Sequence, residues 1–178
     1  MKFRTLKASE IECRVNQINE KGLTLLLYKD ARCDMNILDE TVGPMNWQRK
    51  HNRDNANCIV SIYDENKKIW VEKEDTGIES NNQAEKGLAS DSFKRACVNW
   101  GIGRELYTAP FIYISADKCK IQKNDKGKFI TYDKFRVGAI NYDTNKNING
   151  LIIINQKKEE VFRLQPPKKE EKKDENNK

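Results

Sequence analysis

The chain has little of what most hydrolytic or metal-dependent sites need. His51 is the only histidine among 178 residues, so a Ser-His-Asp triad or a multi-histidine metal site would have to be built around that one ring. The five cysteines form no CxxC pair, which argues against a disulfide scaffold or a zinc ribbon. We therefore expect no catalytic residue and no metal site, and we interpret the cysteines as small buried apolar residues.

The chain also lacks a nucleotide-binding motif. No GxxxxGK[ST] sequence occurs, and Gly101-Ile102-Gly103 has Leu106 where a dinucleotide fingerprint needs a third small residue. This segment also follows a helical pattern instead of opening one after a strand, as the fingerprint requires. We expect neither nucleotide hydrolysis nor any cofactor.

Long apolar runs are missing as well. No stretch of 18 apolar residues exists, and the first twelve residues lack the apolar segment of a signal peptide. We expect a soluble, intracellular protein that has no membrane partner.

Charged residues are abundant: 34% of the chain is charged and only 37% is hydrophobic, with 33 Lys and Arg against 27 Asp and Glu. This balance predicts a thin core, completed by neighbouring subunits or accompanied by disordered segments, and an anionic partner. Residues 166–178 hold five Lys, four acidic residues and two Pro, so we expect a disordered tail. Residues 1–165 then form one domain with a net charge of +5.

Hydrophobic periodicity predicts an α+β fold with antiparallel strands. Apolar residues alternate from Ile11 to Val15 and run continuously from Leu23 to Tyr28, which is typical of a hairpin. A helix is expected over 31–42, capped by Asp30, with Ala31, Met35, Leu38 and Val42 on its buried face. The remaining expected elements are a meander of strands at 47–52, 56–63 and 69–74, a long helix at 83–100, a strand at 111–114 and a hairpin of 135–142 with 148–155.

Basic residues recur on and around the long helix. Lys86 and the pair Lys94-Arg95 lie on it, Arg104 follows it, and Lys67-Lys68 occupy the expected hairpin tip. A groove for single-stranded nucleic acid needs such cations together with planar side chains. The sequence offers five candidates for that surface: Tyr28, Tyr63, Trp70, Trp100 and Tyr107.

Two other interpretations of the charged residues stay open. A basic run on a helix is usually just a solvated face. The acidic stretch with Glu72, Glu74, Asp75 and Glu79 could instead hold the metal of a nuclease, although such stretches commonly form solvated strand ends.

The order of several motifs resembles one family. The segments 27–32 (LYKDAR), 38–47 (LDETVGPMNW), 73–77 (KEDTG) and 85–96 (EKGLASDSFKRA) are similar to the phage Sak-type single-strand annealing proteins, which share a superfamily with the eukaryotic recombination protein Rad fifty-two. The resemblance covers about residues 28–114. It implies a β-β-β-α core, assembly into a homo-oligomeric ring, and single-stranded DNA bound in a groove around the rim.

The resemblance also implies site residues. Lys94 and Arg95 match the basic pair that lines the inner DNA groove, whereas Val98 replaces a further groove arginine, for which Arg104 or Lys86 could compensate. Arg32 corresponds, with an offset of one residue, to an arginine at the start of the first helix. Lys67 and Lys68 fall where relatives carry a second-site lysine, and no role is carried over to the region after Cys119.

The resulting expectation is binding of single-stranded DNA and annealing of complementary strands without ATP, in recombination and repair, in the cytoplasm of a bacterial host. A single-strand DNA-binding protein is a further candidate partner. The alternatives are coating of single-stranded ends without annealing, a metal-dependent nuclease, and a purely structural hub.

Overall fold

The computed structural model describes residues 1–78 and 84–166, which form an α+β arrangement of mostly antiparallel strands with two α-helices. The helices are α1 (Ala31–Val42) and α2 (Ala84–Trp100). The strands are β1 (Glu12–Asn19), β2 (Gly22–Tyr28), β3 (Trp47–Asn52), β4 (Asn57–Asp64), β5 (Ile69–Thr76), β6 (Ile112–Ser115), β7 (Gln122–Lys123), β8 (Phe129–Ile130), β9 (Phe135–Tyr142), β10 (Ile148–Asn155) and β11 (Glu160–Leu164).

The larger sheet joins the two ends of the described chain. Its strand order is β11-β10-β9-β1-β2-β6, so the N-terminal hairpin lies between the C-terminal strands and β6. The sheet curls enough to bring Cα atoms of its edge strands β6 and β11 within 8 Å of one another. Within the apolar run of β2, Leu23, Leu25 and Leu27 are buried on one face of this sheet, whereas Leu26 lies on the other face and is exposed.

The smaller sheet is the meander β3-β4-β5. Helix α2 packs on β4 and β5, and its residues Phe93, Ala96 and Cys97 are fully buried. Trp47 of β3 stacks on Phe93 with 6.1 Å between ring centroids. Buried residues of both sheets and both helices belong to one continuous hydrophobic core.

Helix α1 begins where the sequence predicts, because the Asp30 carboxylate accepts a hydrogen bond from the Cys33 amide at 2.8 Å. The prediction for its buried face was wrong: the helix is rotated about its axis relative to the face that the apolar spacing indicates, and only Leu38 of the predicted residues is fully buried. The stripe that is buried consists of Cys33, Asp34, Ile37 and Leu38, whereas Ala31, Met35 and Val42 pack only at its margin. The periodicity rule counts apolar residues and therefore passes over a buried carboxylate.

The α+β class with antiparallel pairing is confirmed, and the N-terminal hairpin forms as expected. The C-terminal hairpin is extended by a third strand, β11, and the small pair β7-β8 was missed. These three strands are only two to five residues long, too short for a period of two to stand out. The first residue expected in the long helix, Gln83, and the tail from 167 onward lie outside the described residues.

The cysteines have the expected environment. Cys33, Cys58, Cys97 and Cys119 are buried and Cys13 is half-buried, all as free thiols. Burial raises the pKa of Cys58 to about 11, so its thiol stays protonated at neutral pH. In the part of the chain that the structure covers, neither helix combines the length and apolar character needed to cross a membrane.

Candidate nucleic-acid interface

A groove of about 330 Å³ runs between the end of β2 and helix α2. One wall is formed by consecutive residues at the end of β2, and the other by one face of α2. The segment after α2 supplies the rest of the lining. The lining residues are Leu26, Leu27, Tyr28 and Lys29 from β2 and its exit, Asp91, Lys94, Arg95 and Val98 from α2, and Gly103, Leu106 and Tyr107 beyond it.

Helical spacing separates the groove face of α2 from its core face. Asp91, Arg95 and Val98 follow one another at i, i+4 and i+7 and line the groove, whereas Phe93 and Ala96 point into the core. Lys94 lies beside Arg95 on the groove side, and both are half-buried. The two cations are therefore held on a rigid element beside apolar surface.

Arg95 already has an acidic partner. Its Nε lies 3.4 Å from an Asp75 carboxylate oxygen, with 39% of the arginine side chain exposed. Asp75 also accepts a hydrogen bond from the Asn99 amide. A half-exposed pair of this kind is weak, worth about 1 kcal/mol or less, so a phosphate can compete with Asp75 for the guanidinium.

Planar and apolar side chains stand beside these cations. Tyr107 is 73% exposed and Leu26 is 44% exposed, although both line the groove. The Tyr28 ring carries the Arg14 guanidinium over it at 4.8 Å from the ring centroid. Phosphate-binding cations and stackable rings in one groove are the combination that single-stranded nucleic acid requires.

A buried ion pair lies behind the groove. Lys29 is 5% exposed, and its Nζ lies 2.5 and 2.6 Å from the two carboxylate oxygens of the fully buried Asp34. Burial raises the pKa of Asp34 to about 6, against the opposing effect of Lys29. The pair joins the residue after β2 to α1. The sequence analysis did not predict it, although a lysine placed between an apolar strand and the helix cap Asp30 could have indicated a buried charge.

Gly103 allows the lysine to occupy this position. Its φ of +69° is left-handed, and a Cβ built there would collide with the Lys29 side-chain carbons. Position 103, three residues beyond the end of α2, must therefore be small and able to adopt positive φ. Only then can the Lys29 stem pass beneath the groove to reach Asp34.

The remaining predicted site residues lie elsewhere. Arg32 is exposed, pairs with Asp30 at 3.2 Å and borders a separate shallow cleft. Arg104 donates to the carbonyl oxygens of Val98 and Asn99, so it caps the end of α2 and is absent from the groove lining. Lys86 belongs to α2, but its side chain is outside the described residues.

Lys67 and Lys68 occupy the β4-β5 turn, as the meander predicts. Lys67 lies 4.0 Å from Asp64 and borders a second cleft of about 330 Å³, together with Tyr63, Lys73 and Trp100. Trp100 donates its indole N–H to the Val60 carbonyl, and the Lys73 ammonium lies 4.7 Å from the centre of one of its rings. The structure thus places Lys94 and Arg95 in the groove, Lys67 at this second cleft and Arg32 at a third.

The acidic stretch of β5 has partners within the fold. Glu72 accepts from the Ser61 hydroxyl and Glu74 from the Asn57 amide, while Glu79 lies outside the described residues. His51 is half-buried on β3, near Ser92, and desolvation lowers its pKa. Across residues 1–78 and 84–166, no three His, Cys, Asp or Glu side chains are grouped as metal ligands would be.

Comparison with known proteins assigns no family. No protein-family model matches the chain, and neither a curated protein nor a solved structure is significantly similar to it. The function therefore has to be argued from the site itself.

The buried pair yields a stability prediction. Replacing Asp34 alone by Ala leaves Lys29 buried without a counter-charge, and we expect this to lower the free energy of unfolding by about 3–5 kcal/mol. The double variant K29M/D34L removes both charges and fills a similar volume, so it should unfold near the wild-type denaturant concentration or above it. Urea denaturation measures both, and equal losses in the two variants would show that the charges are not coupled.

Two of the glycines with positive φ, Gly103 and Gly127, provide a second test. Gly103→Ala combines backbone strain with a collision against Lys29, so we expect it to cost about 2–5 kcal/mol. Gly127 has a similar φ of +72°, and no atom lies within 4 Å of the point that a Cβ would occupy there, so Gly127→Ala should cost only about 1–2 kcal/mol. Urea denaturation distinguishes the two, and equal costs would mean that the contact with Lys29 is not required.

Proposed function

We propose that this protein binds single-stranded DNA in the groove between β2 and α2 and anneals complementary strands without nucleotide hydrolysis. The observation that carries the proposal is the placement of Lys94 and Arg95 beside Tyr28 and Tyr107 in one open groove. The cations would take the phosphates, and the rings would support the bases or sugars.

The arrangement of α2 on the meander also favours this function. Three consecutive antiparallel strands, β3, β4 and β5, are followed by a helix that packs on two of them. We interpret this unit as the β-β-β-α core that the resemblance to the Sak-type annealing proteins implies. The basic pair named by that resemblance is the pair that lines the groove.

Assembly into a homo-oligomeric ring belongs to the same proposal. The protein exposes large apolar side chains away from the core, among them Phe111 at 77% and Met45 at 87%. Strands β3 and β5 are the two edges of the meander, and such edges offer unpaired backbone groups to a neighbour. Subunits placed side by side would join their grooves into a continuous track for one strand.

The proposed mechanism needs no catalytic residue. The groove would hold phosphates and leave base edges accessible, so that two coated strands can test their pairing on collision. Base stacking in the duplex, about 1.4 kcal/mol per step, supplies the driving force. Each neutralised phosphate should contribute about −0.7 to the slope of log K against log salt for single strands.

The basic pair provides the test. We expect K94A/R95A to reduce the salt slope of single-strand binding by about 1.4 per subunit and to slow annealing of complementary oligonucleotides to near the protein-free rate. Fluorescence anisotropy measures binding, and the rise in energy transfer between a donor on one strand and an acceptor on its complement measures annealing. The matched control is K21A/K50A, which removes two exposed lysines that lie outside both clefts.

Three outcomes would contradict the proposal. Unchanged annealing by an intact K94A/R95A oligomer would exclude the groove as the site. Tight single-strand binding by the wild-type protein without faster annealing would favour a protein that only coats ends. Shortening of labelled DNA in the presence of magnesium would indicate a nuclease.

A further inference from the structure

Arg95 lies between the groove and an acidic side chain of the meander. It lines the groove between β2 and α2, and its guanidinium Nε lies 3.4 Å from a carboxylate oxygen of Asp75 on β5. Asp75 does not belong to the groove lining. The arginine therefore has a negative charge of the protein on one side and the proposed site for phosphates on the other.

The Asp75 carboxylate is held by neighbouring groups as well as by Arg95. One oxygen accepts from the backbone amide of Thr76 at 2.8 Å, and the other accepts from the side-chain amide of Asn99 at 3.3 Å. Asn99 also donates to the backbone carbonyl of Glu74 at 2.8 Å, so α2 and β5 are joined at this point. Because these bonds do not involve the guanidinium, the carboxylate keeps its position when Arg95 leaves it.

The contact between the two charges is loose enough to exchange. The side chains of Arg95 and Asp75 are 39% and 30% exposed, and their separation exceeds the roughly 2.7–2.9 Å of a strong charge-assisted hydrogen bond. The contact uses Nε, which leaves the two terminal nitrogens of the guanidinium for a bidentate contact with phosphate. A phosphate can thus take the guanidinium, and the carboxylate can later take it back.

We propose that Asp75 is a positioning residue for strand release. It holds the Arg95 guanidinium before a strand binds and competes with the phosphate for it afterwards, so that the groove holds a strand weakly enough to release it on pairing. This inference rests on the proposed function, because a duplex can wind only after at least one of the two coated strands has left its groove.

The preceding residue of β5 provides a matched control. Successive side chains of a strand point to opposite faces, so Glu74 points away from the face on which α2 packs. Its carboxylate accepts from the Asn57 side-chain amide at 3.1 Å. E74Q and D75N each remove a negative charge from adjacent positions of the same strand, but only D75N removes it beside Arg95.

We expect D75N to bind single strands about two- to fivefold more tightly than wild type, since a half-exposed ion pair is worth about that factor. Most of the gain should appear as slower release. Annealing at saturating protein should be slower by a similar factor, a combination that loss of structure does not produce. The difference from wild type should shrink between about 50 and 500 mM salt because exposed charges are screened. E74Q should bind and anneal like wild type.

Anisotropy measures the affinity, stopped-flow displacement by excess unlabelled strand measures release, and energy transfer between labelled complements measures annealing. A double-mutant cycle tests whether Asp75 acts through Arg95. R95Q and D75N/R95Q should bind single strands equally, because no guanidinium is left for the carboxylate to hold. If D75N does not fold, D75S removes the same charge and should show the same gain.

Several outcomes would overturn the inference. A gain that persists in D75N/R95Q, or an equal gain in E74Q, would show a general effect of net charge. Weaker binding by D75N would show that the carboxylate only orients the arginine, and tighter binding with unchanged or faster annealing would exclude a role in release.

Failure of this inference can be told apart from failure of the proposed function. If K94A/R95A weakens single-strand binding while D75N binds like wild type, the groove is still the site and the role given to Asp75 is wrong. If K94A/R95A binds like wild type, both the site and the role of Asp75 are wrong.

Discussion

The buried Lys29–Asp34 pair is the constraint on which the geometry of the groove depends. It joins the exit of β2 to α1, and the lysine stem passes against Gly103 just after α2. Leaving either charge unpaired in the core costs several kcal/mol, so the three segments are held in one relative position. In that position Tyr28 and Leu26 of β2 lie opposite Lys94 and Arg95 of α2. The geometry of the candidate site therefore depends on the buried Lys29–Asp34 pair.

The groove combines cations with rings on rigid elements. Lys94 and Arg95 are partly matched by Asp91 and Asp75, and Tyr28 and Tyr107 line the same groove. Cations and rings side by side suit a single strand, because its phosphates and its bases are both accessible.

Long periodic segments made the α+β class and the helix start at Asp30 predictable, because capping and apolar spacing are local properties. The sequence also placed Lys94 and Arg95 on one helix, but it could not show that β2 is the opposite wall, since that contact is long-range. The Lys29–Asp34 pair was missed because charged residues are expected at the surface. Arg32 and Arg104 lie away from the groove because of the way the backbone turns around them, and neither helix capping nor apolar spacing predicts that path.

The central claim is that single-stranded DNA lies in the groove between β2 and α2. Photocrosslinking tests it directly, with p-benzoylphenylalanine placed at Tyr107 in the groove or at Met45, which is 87% exposed and absent from the groove lining. We predict efficient crosslinking of a labelled single strand from position 107, lost on adding unlabelled single strand, and only background crosslinking from position 45. Equal yields at the two positions, or none at 107 while the strand is bound, would contradict the account.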